Sequence, residues 1–240
     1  MSTYPNLFQH RYDIGYDGVT DLETLMLVDD FAAVYRSVFQ GVMIGDWLEA
    51  RVMRLIKKWL PDWRLSHAQI IDPTMPDLQS RSWDIVVHRP VPSELHLPPP
   101  AYEDEGYPLL PKALCCAAID CKGRYDTPQT YARKTAFNVT NTAITPQLEI
   151  LSPTVTPILF IMASTLPEQT VVSRAREHGL SAFVLAHARD HGLMQGHAHV
   201  TWTLNGDNRQ QPPLQEFKAC LEEAAGRWQA AHEVVEREGL

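Results

Sequence analysis

At 240 residues and 45% hydrophobic composition, the chain is long enough to bury one sizeable core, and a single domain over residues 1–240 is expected. No apolar run reaches the roughly 18–20 residues that span a bilayer, and the first residues lack a basic stretch followed by an apolar one, which argues against a secretory leader and a membrane partner. A net charge of −8 excludes a generally sticky nucleic-acid coat, but the charge is uneven: −6 over residues 1–50, +2 over 51–140 and −4 over 141–240.

In chain order, residues 21–60 read as helix in two segments that meet near 41–45. In the second segment Leu48, Val52, Leu55 and Trp59 recur at helical spacing. Glu49 shares a side with Val52, Met53 and Ile56, so this acid borders the apolar face. Pro61 ends the helix. A short strand over 67–72 and a stronger one over 82–89 flank a turn at 73–77. Residues 90–111 hold seven prolines together with Glu103, Asp104 and Glu105, and read as an extended surface loop, either a lid over a site or a tolerated insertion.

Residues 113–122 have the composition of a buried strand. Thr127 and Pro128 then suit the N-cap and first turn of a helix that reaches about 141. An apolar strand follows over 156–164, then a helix over 168–178 stopped by Gly179 and a buried strand over 181–186. An edge strand within 199–204 and a closing amphipathic helix at about 215–237 complete the chain. This order predicts an α/β fold: a central mixed sheet flanked by helices, its core at about 40–190. Cys115, Cys116 and Cys121 crowd into one strand, poor spacing for disulfides, so a reducing cytoplasm is the expected compartment.

Two acids stand out from this pattern. Asp84 lies in an apolar run from Ser82 to Val87, and Asp120 in another from Leu114 to Lys122, where a lone ionised carboxylate is expensive to bury. Lys122 follows Asp120 by two residues and so points to the same face of a strand. Two carboxylates and an ammonium at strand ends meet the needs of a divalent metal and an attacking water. On this reading Asp84 and Asp120 bind Mg2+ or Mn2+, the backbone carbonyl of Cys121 is a further ligand, and Glu49 binds directly or through water. Lys122 orients the water or stabilises charge developing on the phosphoryl oxygens. The structural alternative is a buried Asp84–Lys122 ion pair with Asp120 capping a turn. Asp-x-Lys alone arises about once by chance in a chain of this length, so the strand context carries the signal.

These residues resemble the PD-(D/E)XK restriction-endonuclease-like superfamily. More narrowly, Gly45-Asp46-Trp47-Leu48-Glu49, Leu60-Pro61, Ser82-Trp83-Asp84-Ile85-Val86 and Asp120-Cys121-Lys122 are similar to a poorly characterised bacterial nuclease-like domain family associated with phage defence. The likeness covers about residues 40–135. It implies a restriction-endonuclease-like mixed sheet flanked by helices, a Mg2+ or Mn2+ cofactor, and catalytic roles for Glu49, Asp84, Asp120 and Lys122. Two departures stand against it: Asp120 replaces the commoner glutamate, and Trp83 replaces the proline before the first aspartate. Beyond Lys122, Arg124, Gln129, Tyr131, Arg133 and Lys134 are candidate phosphate or base contacts.

Two rival readings belong to other classes. His187 and His191 at i,i+4 spacing, followed by His197 and His199, suggest zinc, although no Cys-x-x-Cys accompanies them. A catalytically degenerate nuclease-like fold acting as a partner-binding or regulatory module is the other, and Trp47, Trp63 and Trp83 bear on it only if they are exposed. The expectation carried forward is a metal-dependent nuclease hydrolysing phosphodiester bonds. DNA is its expected partner, with defence or restriction as the setting, and the chain acts with a partner protein or as a homo-oligomer. No Walker-type phosphate loop is present, so nucleotide hydrolysis would fall to another protein.

Overall fold

Leu48, Val52 and Ile56 are fully buried on one stripe, which seats helix α1 (Gly41–Trp59) against a sheet; Leu60 and Pro61 then turn the chain out of the helix. The structure, a computed structural model, describes residues 23–34 (except 25, 29 and 32), 41–74, 80, 82–93, 95, 108–125, 150–151, 153–164, 166–177, 179–188, 202–204 and 212–238. Among the described residues seven strands form one sheet: β1 (Arg64–Ile71), β2 (Trp83–His88), β3 (Leu109–Pro111), β4 (Cys115–Tyr125), β5 (Thr156–Ser164), β6 (Ser181–Ala188) and β7 (Trp202–Leu204). Their order is β3-β1-β2-β4-β5-β6-β7, which places β4 in the middle. The β1–β2, β2–β4 and β6–β7 pairs are antiparallel, whereas β1–β3, β4–β5 and β5–β6 are parallel. Helix α2 (Glu168–Glu177) supplies the crossover that parallel β5 and β6 require. Helix α3 (Pro213–Glu238) closes the chain.

The alternation of side chains gives each face of the sheet its own core. On one face Ile85, Val87, Ala117, Ile119, Cys121, Ile158 and Phe160 meet α1, α3 (Leu214, Phe217, Leu221) and the helical residues Leu27, Val28 and Phe31. On the other face Val86 and Ala118 pack with Ile150, Leu151 and Val155, and Ile161 and Val184 pack with Val171 and Ala175 of α2. Gly123 of β4 marks a close approach: a Cβ there would stand 3.0 and 3.1 Å from the Phe31 ring and 3.7 Å from Ile44. The mixed, helix-flanked sheet expected from the sequence is the architecture observed.

The local expectations differ at the ends of elements. The loop expected over 90–111 gives way at its end to strand β3, because Leu109 and Leu110 are buried and the segment pairs with Gln69–Ile71 of β1. Pro111 is tolerated because β3 is an edge strand, where a missing N–H interrupts no interior ladder. Lys112–Leu114, expected within the next strand, form a 3₁₀ turn, and β4 runs on to Tyr125. Trp63 and Trp83 belong to the core, at 3% and 7% exposure, so they present no partner surface. The helix expected over 127–141 and the turn residues 75–77 lie outside the described residues.

Candidate active site

The site is built on an irregularity in strand pairing. Ser66 stands opposite Val86, but Ala68 stands opposite Trp83, so Asp84 and Ile85 together face the single residue His67. This two-against-one count is a β-bulge, a device that re-aims side chains beside functional sites. The core clusters register the slip: Val86 and Trp83 pack on one face, Ile85 and Val87 on the other, and Asp84 is the extra residue. On the other side of β2, pairing with β4 is in register at Ile85↔Ile119, and no aligned pair lies beyond it toward Trp83. There the Cys121 N–H donates to Asp84 Oδ2 at 2.7 Å, so a carboxylate is held fast where β2 and β4 part.

Asp120 and Lys122, two residues apart on β4, meet at this point. The Lys122 ammonium donates to Asp120 Oδ1 and lies 3.8 Å from Asp84 Oδ2. The Asp84–Lys122 pairing anticipated as a structural alternative is therefore present, but Asp120 caps no turn; it shares the same lysine. Glu49 of α1 faces the group from the helical layer, its carboxylate feeling the charges of Lys122 and Asp120, and His67 Nδ1 lies 3.5 Å from Glu49 Oε2. Asp84, Asp120 and Lys122 thus meet on β2 and β4, and Glu49 of α1 lies within electrostatic reach of them.

Negative charge is in excess here, with three carboxylates to one ammonium. Burial pushes Asp120 up to about 7; Lys122 pulls it down, while the charge of Asp84 and a hydrogen bond with its carboxylate push it up again. Glu49 is raised as well, by burial first and then by the neighbouring Asp46, against the opposing pull of Lys122. Burial works against the Lys122 ammonium, but Asp120 and Asp84 outweigh it and hold its pKa above the ordinary lysine value. A divalent cation fits this donor set. Its ligands are hard oxygens, its charge is in deficit, and magnesium asks for only one or two carboxylates with water and substrate oxygens completing the shell. The fit rests on Asp84 and Asp120, because among the described residues no three His, Cys, Asp or Glu side chains converge as a ready-made cluster.

The remaining expectations fall in different places. Arg124 belongs to β4 by its backbone, with its side chain outside the description; Gln129, Tyr131, Arg133 and Lys134 lie outside the described residues, as do His191, His197 and His199. His187 lies on β6 with its Nδ1 buried and unpaired. The buried cysteines are free thiols, and burial pushes Cys116 up to about 12, so they act as small apolar residues. Among the described residues, no helix is long and apolar enough to cross a membrane. One residue escaped the sequence reading: His67, which the bulge sets opposite Asp84 and beside Glu49. No local pattern around it signals this role, because the bulge exists only once β1 and β2 pair.

No protein-family profile matches the chain, and no curated protein matches it. Solved structures do. NucC of E. coli MS115-1 in its cAAA-bound form is 11% identical with a TM-score of 0.53, over 90% of this chain and 99% of that one. NucC of P. aeruginosa ATCC27853, also cAAA-bound, is 14% identical with a TM-score of 0.54, over 90% and 100%. At such identity the likeness speaks for the fold, and the fold is restriction-endonuclease-like.

Proposed function

We propose that this chain is a metal-dependent nuclease that hydrolyses phosphodiester bonds, with DNA as its substrate and anti-phage defence or restriction as its setting. The observation that carries this reading is the meeting of Asp84, Asp120 and Lys122 where β2 and β4 part, with Asp84 anchored on the Cys121 N–H. Three charged groups in two core strands are a poor stabilising device, since burying them costs more than a packed apolar core would. Their perturbed acidities support a functional site. The shared fold with the two NucC structures supports a nuclease scaffold.

Asp84 and Asp120 would hold the cation, with the Cys121 carbonyl as a further ligand and Glu49 bound to it directly or through water. When bound, it supplies charge for the phosphoryl oxygens and an acidified water. The protein's own part follows from its electrostatics. Lys122 keeps its proton, so it serves as a donor that orients the attacking water and stabilises charge on the phosphoryl oxygens, and not as the base. The water gives up a proton to solvent as its oxygen adds to phosphorus, the ester P–O bond breaks, and the departing oxygen takes a proton from solvent and leaves as a hydroxyl. The proposed whole is one nuclease-like domain over residues 1–240, cytoplasmic, working as a homo-oligomer or with a partner protein.

Plasmid and linear DNA, with an RNA control, incubated with Mg2+ or Mn2+ test this directly. Wild type is expected to cut DNA only with metal, and Asp84→Asn, Asp120→Ala and Lys122→Ala to lower the rate by at least about 100-fold each. Metal binding by a wild type that cuts neither nucleic acid would support the degenerate binding module instead.

A further inference from the structure

We propose that His67 is a positioning residue of this site, holding the Glu49 carboxylate in the orientation that a metal ion needs. The inference rests on reading Asp84 and Asp120 as the metal site, with Glu49 as a direct or water-mediated ligand. Three observations lead to it. His67 is the one residue of β1 that faces the bulge carrying Asp84, so the same irregularity that aims the aspartate sets the imidazole at the site. Its Nδ1 lies 3.5 Å from Glu49 Oε2. The other oxygen, Oε1, lies toward Gly45, 3.9 Å from where a Cβ would stand, so the two oxygens point to different neighbours and the carboxylate has a defined orientation.

Glu49 needs such a partner. It is largely buried, at 17% side-chain exposure, with Asp46 and Asp120 near enough to repel it. Lys122, the cation of the site, is already shared by Asp84 and Asp120. An imidazole held 3.5 Å from Oε2 restrains how the carboxylate can turn, and so which oxygen it offers a ligand. Groups that orient a metal-binding carboxylate in this way typically govern metal affinity by about tenfold to a hundredfold. His67 is itself 40% exposed, so replacing it removes little packing.

The test is calorimetric titration of Mn2+ into the full chain, read beside the Mg2+ concentration that half-saturates DNA cleavage. His67→Ala is expected to weaken Mn2+ binding about tenfold to a hundredfold. His67→Asn, whose amide nitrogen takes roughly the place of Nδ1, is expected to restore most of it. In a Glu49→Ala background, His67→Ala is expected to add nothing, an outcome that a merely structural role for His67 would not produce. Undiminished Mn2+ affinity in His67→Ala, with binding lost in Asp120→Asn, overturns the inference and leaves the metal site standing. Equal losses in the presence and absence of Glu49 also overturn it. A wild type that binds no Mn2+ removes both the inference and the site reading beneath it.

Discussion

Asp120 links ionisation to folding. An aspartate in an unfolded chain ionises near 3.9, whereas Asp120 in the folded chain ionises at about 7. Between those values the folded protein retains a proton that the unfolded chain has released, so stability falls as pH rises from about 4 to about 7. Glu49, also raised, adds to the same slope. In EDTA, urea denaturation of wild type is expected to show a loss on the order of 2 kcal/mol between pH 5 and 7.5, with most of that slope gone in Asp120→Asn. A variant with the full wild-type slope would show that Asp120 does not carry this linkage. At this scale the sequence was readable in part. Asp84, Asp120 and Lys122 announce themselves as charges inside apolar strands; His67 does not, since a histidine in a half-exposed strand is ordinary.

At the scale of elements, β4 carries both the site and a close approach between the sheet and the helical layer. Its Gly123 follows Lys122 directly and lets the Phe31 ring approach to within 3.0 Å of where a side chain would begin. Phe31 is fully buried and leans on Trp47 at 6.1 Å between ring centres, so it has little room to withdraw. Gly123→Ala is therefore expected to destabilise by about 1–3 kcal/mol through overpacking, and Phe31→Leu in the same chain to recover part of that loss; thermal melts of the single and double variants check both. The elements themselves were legible wherever burial is two-faced or periodic, as in β5 or α1. β3 was not, because three residues beside prolines show no period, and only pairing with Gln69–Ile71 makes them a strand.

At the scale of the whole molecule, the site joins two strands that are distant in sequence, and any ion it binds should stabilise the fold. A ligand at 100 times its Kd adds about 2.7 kcal/mol. Mg2+ or Mn2+ at that excess is expected to raise the wild-type melting temperature by several degrees and to leave Asp84→Asn unmoved. Equal shifts in both proteins would place the bound ion elsewhere. The arrangement is secured far from the chemistry by α3, where the Trp228 indole N–H donates to the Ala113 carbonyl at 2.7 Å and Arg89 lies over the Trp63 and Trp228 rings at 4.6 and 5.3 Å. The sequence by itself determined the α/β pattern, the strands that carry Asp84 and Asp120, and the shared face of Asp120 and Lys122. These are properties of local period, encoded in neighbouring residues. The tertiary structure decided the strand order, the bulge at Asp84, the parting of β2 from β4 and the approach of Glu49 to His67. Each of these depends on register between distant segments, which long-range packing selects and no short window of sequence contains.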